Sequence, residues 1–104
     1  MKMNPWRPIT NPLHLRRLGK LAEELAELQK AVARCIIQGL DGIDPATGTP
    51  NREALWKETA DVRAQIAVAT HTFDLPVLEM AHRSAMKYAQ MEDWEEALKQ
   101  NEHP

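Results

Sequence analysis

Glu23-Glu24-Leu25-Ala26-Glu27 and, further along, Glu58-Thr59-Ala60-Asp61 are the two stretches that decide how this chain is read. In an α-helix, residues three and four apart share a face, so Glu24 with Glu27, and Glu58 with Asp61, each project a carboxylate pair in one direction. Turning each helix by about 100° per residue gives the register. Leu18, Leu21, Leu25, Leu28, Val32 and Cys35 form one apolar stripe, with Glu24 on its edge, Glu27 beyond it and Glu23 turned towards the opposite side. On the second helix Leu55, Thr59, Val62, Ile66, Ala69 and Phe73 form the stripe, and Glu58, Asp61 and Gln65 line one edge.

If the two stripes pack together, four carboxylates meet at the rim of an apolar core, where like charges raise each other's pKa and oppose folding. A divalent cation removes that conflict. An all-carboxylate donor set is hard-oxygen chemistry, which predicts Mg²⁺, with Mn²⁺ possible, rather than Zn²⁺. The competing reading is a solvated acidic face, the usual fate of a charge run. Two acid pairs on stripe edges of consecutive helices favour the metal site.

Glu23-Glu24-x-x-Glu27 followed by Glu58-x-x-Asp61 resembles the EExxE…ExxD signature of the all-α nucleoside triphosphate pyrophosphohydrolases, the MazG-like superfamily. The resemblance runs from about Leu18 to Trp94 and is closest to the small phage-type members. It implies an oligomeric, MazG-like helical bundle of about four helices and cleavage of a nucleoside triphosphate to monophosphate and pyrophosphate. Glu24, Glu27, Glu58 and Asp61 would then be the metal ligands, with Glu23 and Glu24 the catalytic acids. A homodimer or dimer of dimers is implied, with pockets completed near the subunit interface.

One domain is expected from 104 residues, and a chain this short buries only roughly 60–65% of its unfolded surface. A 43% hydrophobic share with 27% charged residues is ordinary for a soluble globular protein. The formal net charge of −2 gives no electrostatic footprint for nucleic acid. Cys35 is the only cysteine, which excludes an internal disulfide and suits a reducing compartment. With no apolar leader in the opening residues and no membrane-spanning run, a cytoplasmic protein without a membrane partner is expected.

Along the chain, residues 1–11 read as an extended arm anchored by Trp6, and Asn11-Pro12 as the start of a helix over 12–38. Gly19 inside that helix suggests close backbone approach by a partner or ligand, or simple tolerance. A turn-rich loop follows over 39–50, then helices over 51–73, 76–90 and 92–100. Glu92-Asp93-Trp94-Glu95-Glu96 opens the last of these, its acids placed at the positive end of the helix dipole.

Arg83 and Lys87 stand four apart on the third helix. Spacing alone makes them an exposed basic face, and the resemblance implies that they hold substrate phosphates. Lys20, one turn before Glu24, is either a charge-balancing partner of the acids or a phosphate contact. Trp6 and Trp56 read as structural anchors, with base stacking the alternative. Glu79-x-x-His82 has di-iron spacing, but a second such pair is missing. No Gly-rich phosphate loop is present, so phosphate must be held by metal and side chains. The non-enzymatic alternative is a dimeric helical interaction module with solvated acidic faces.

Overall fold

A computed structural model describes residues 3–102. The chain is all-α, with α1 over Pro12–Gln38, α2 over Asn51–Thr72 and α3 over Val77–Glu102. It divides into two units, Met1–Asp74 and Leu75–Pro104.

In the first unit, Asn11 caps α1 as its sequence predicts, its side-chain oxygen accepting from the amides of Leu13 (2.9 Å) and His14 (3.2 Å). Gly39 ends the helix at φ 84°, a conformation that costs glycine little, and its amide donates to the Cys35 carbonyl. The loop over 39–50 then doubles back through an isolated antiparallel bridge between Ile43 and Pro50. Pro50 offers α2 no side-chain cap. Loop carbonyls take that role: Asn51 N–H donates to Gly42 O and Arg52 N–H to Leu40 O, both at 2.8 Å.

α1 and α2 form an antiparallel hairpin. At its open end the Arg17 guanidinium donates to Thr72 Oγ1 at 2.8 Å, and His14 meets Phe73 edge-on with ring centroids 5.0 Å apart. At the loop end, Asn51 is only 2% exposed and its side-chain amide donates to Gln38 Oε1 (3.1 Å) and Gly39 O (3.0 Å). Between these ends the core is Ala31, Val62 and Ala69. Two alanines among the three allow the helix backbones to approach closely.

The contact faces differ from the expected stripes. On α1 the sheltered line runs Leu18, Leu21, Glu24, Leu28, Ala31 and Cys35, whereas Leu25 and Val32 are exposed. On α2 it runs Leu55, Glu58, Val62, Gln65 and Ala69, whereas Thr59 and Ile66 are exposed. Each helix is therefore rotated so that its acid lies within the contact face rather than at its border. Trp6 is 80% exposed and does not anchor the arm. Cys35 is half-buried, with its Sγ 3.7 Å from Asn51 O.

In the second unit, Val77–Glu102 is one helix, where two were expected. No glycine or proline lies between Ala89 and Trp94, so nothing stops the helix, and Glu92 and Asp93 are interior residues rather than an opening turn. Its true first turn carries Glu79 and its last turn Lys99, both favourable to the dipole. Among the described residues no helix is long and apolar enough to cross a membrane.

Candidate metal centre

Glu24 enters the site because α1 turns it towards α2, leaving its side chain 13% exposed. Glu58 and Asp61 come from one turn of α2, Glu58 half-buried and Asp61 at the surface. One carboxylate oxygen from each of the three lies within 4.8 Å of the others. Oxygens that share one Mg²⁺ at about 2.1 Å can lie no more than about 4.2 Å apart, so small side-chain rotations bring this set into range. All donors are carboxylates, which suits a hard divalent cation and not zinc.

The electrostatics show the strain of that arrangement. The Glu58 carboxyl is pushed above its ordinary range, first by burial, then by the negative charges of Asp61, Glu24 and Glu27. Lys20 offsets part of this charge. Its Nζ lies 3.2 Å from Glu24 Oε1 and 3.4 Å from Glu23 Oε1, and hydrogen bonds to these two carboxylates raise its own pKa.

Of the residues singled out in the sequence, Glu24, Glu58 and Asp61 are brought together. Glu27 stands next to them, on the wall of a cleft that it shares with Glu58. Glu23 points to solvent, with its side chain 61% exposed, and among the described residues its ion-pair partner is Lys20. Trp56 lies two residues before Glu58, about 200° around the helix, and lines a separate apolar groove with Leu40, Leu55 and Ala60. Arg83 and Lys87 line a small groove on α3 with His82, Met86 and Gln90, within the second unit.

Sequence reasoning missed the cations of the cleft: Lys30 and Arg34 of α1 and Lys57 of α2. A signal was present, because Glu27, Lys30 and Arg34 follow at helical spacing on one face. Asn51 was also missed, having looked like an ordinary helix start. Comparison with known proteins finds no matching family model, no matching curated protein and no matching solved structure.

Proposed function

We propose that this protein is a Mg²⁺-dependent nucleoside triphosphate pyrophosphohydrolase of the MazG-like kind, working in the cytoplasm as a homodimer or dimer of dimers. The observation that carries the reading is the convergence of Glu24, Glu58 and Asp61 oxygens within 4.8 Å, from two helices, at the positions of the sequence signature.

These three residues, with Glu27 beside them, would hold the cation. When bound, it would neutralise phosphate charge and make a coordinated water acidic enough to react near neutral pH. The chain's own residues set the rest. Glu24 is held in place by Lys20 and by its position in the helix contact face. Glu23, solvent-facing, is left to orient water rather than to ligate. Water adds to the α-phosphorus and gives up a proton to solvent, the bond from that phosphorus to the α,β-bridging oxygen breaks, and pyrophosphate leaves with the electron pair.

The test is pyrophosphate release from a panel of ribo- and deoxyribonucleoside triphosphates with Mg²⁺ or Mn²⁺, in ¹⁸O-labelled water. Label in the monophosphate and loss of activity in Asp61→Asn are expected. No pyrophosphate from any substrate, or an Asp61→Asn variant as active as wild type, would end this reading.

A second reading, the non-catalytic interaction module, draws on Leu25, Val32 and Ile36, which follow one line of α1 and are 47%, 42% and 79% exposed. Such a line of apolar residues is suited to contact with a partner or a second copy. It supports self-association under either reading, so the Mg²⁺ response of the melting temperature separates them. Only the enzyme reading expects a saturable rise.

A further inference from the structure

Beside the acids lies a cleft of about 320 Å³, bounded by α1, α2 and the loop, all within Met1–Asp74. Glu27 and Glu58 line it on the side of the metal centre. Lys30, Arg34 and Lys57 also line it, and the loop adds Asp44, Thr47 and Thr49.

The three cations are weakly committed to the fold. Among the described residues Lys30 has no ion-pair partner. Arg34 reaches Asp44 only at 3.7 Å, and Lys57 pairs with Glu53 at 3.1 Å while remaining more than half exposed. The exposed Lys57–Glu53 pair exchanges partners at little cost, whereas the Arg34–Asp44 pair is half-buried but long. Lys30 and Arg34 are also four apart on one helix face, a like-charge arrangement that destabilises a helix and that Asp44 answers only at Arg34.

We propose that this cleft seats the phosphate chain of the nucleotide, with Lys30, Arg34 and Lys57 as the side chains that bind its oxygens. The assignment rests on the triphosphate reading of the acids and extends it to the anion. An acidic cluster that seeks a cation lies next to a basic wall that seeks an anion, and the ligand complementary to both is a metal–polyphosphate complex. The volume is at the lower end of the range for ligand pockets, enough for a phosphate chain and part of a nucleoside. The loop side of the cleft is fixed in advance, since Asn51 ties it to Gln38 and Gly39. This places three phosphate-binding cations on the same hairpin as the acids.

The test is calorimetric titration of the full chain with inorganic tripolyphosphate, with and without Mg²⁺. Lys30→Gln and Lys57→Gln should each weaken binding by about tenfold, the loss expected for one charge-assisted hydrogen bond, and the double variant by more. Both side chains are exposed, so the variants should melt as wild type does. Three outcomes overturn the proposal: no tripolyphosphate binding by wild type, undiminished binding by the double variant, or a loss confined to Arg83→Gln and Lys87→Gln. The acid cluster is judged apart, by the rise in melting temperature with Mg²⁺ alone. Tripolyphosphate binding that depends on Lys30 and Lys57, without that rise, would sink the metal centre and leave the cleft.

Discussion

The ammonium of Lys20 lies 3.2 Å from the carboxylate of Glu24, one helical turn away, so one of the three clustered acids already has a counter-charge from its own helix. Without metal, that cation lessens the repulsion among the acids. With metal, it opposes a second positive charge. Lys20→Gln should therefore lower the melting temperature in EDTA and enlarge the increment produced by Mg²⁺. Thermal scans with and without the ion check both directions, and an unchanged increment would count against competition at Glu24.

Glu58 makes the metal-free protein pH-sensitive. Its carboxyl is raised above the ordinary 4.5, burial being the first cause and the charges of Asp61, Glu24 and Glu27 the rest. A raised carboxyl binds protons more tightly in the folded than in the unfolded chain, so stability falls as pH rises through the interval between the two values. The contribution is whole below the unfolded value and lost as pH climbs through the folded one. Glu58→Gln in EDTA should melt above wild type at about pH 8, with the gap closing towards about pH 4. A gap that does not vary with pH would show that Glu58 does not titrate this way.

Asn51, itself buried, holds the turn through two part-buried hydrogen bonds. Asn51→Ala leaves the Gly39 carbonyl without that partner and should cost about 1–3 kcal/mol in urea unfolding. A loss below about 0.5 kcal/mol, the usual scatter for a surface change, would mean that water replaces the amide freely.

Two glycines should respond with opposite signs. A Cβ at Gly19 meets nothing within 4 Å, so Gly19→Ala should stabilise α1 by about 0.5–1 kcal/mol. At Gly42 a Cβ would lie 2.6 Å from the Gln38 carbonyl oxygen, so Gly42→Ala must displace backbone and should cost about 1–3 kcal/mol. If Gly19→Ala raises stability but abolishes activity, a ligand or second subunit approaches that backbone. If both changes stabilise, the backbone at Gly42 does not pack against the Gln38 carbonyl.

The limits of α1 and of the loop were legible because local chemistry sets them: the Asn11-Pro12 start, the Gly39 stop and the turn-rich loop all stand where composition places them, whereas the break expected near residue 91 is absent from α3. The acids were legible as helix-spaced pairs. Register was not. Both α1 and α2 carry more apolar positions than one contact can cover, and periodicity cannot say which line meets the neighbouring helix. The line with the smaller residues, Ala31 and Ala69, takes it, drawing Glu24 and Glu58 inward and leaving Leu25 and Ile66 outside. The basic wall was hidden for a related reason: Lys30, Arg34 and Lys57 look like any solvated cations until the loop folds back beside them.

The tie between Asn51 and Gly39 also bears on the order in which the hairpin assembles. It joins residues only 12 apart in the chain, whereas the Arg17–Thr72 bond at the open end joins residues 55 apart. Closing a short loop takes on the order of 10–100 ns, and longer closures cost more entropy. The hairpin should therefore zip from its turn, with the carboxylates brought together only after the loop has closed. In a chevron, Asn51→Ala should slow refolding, while Thr72→Val should mainly speed unfolding. Charge repulsion between the acids then acts late, as a force that shortens the lifetime of the folded hairpin and leaves the rate of finding it almost untouched.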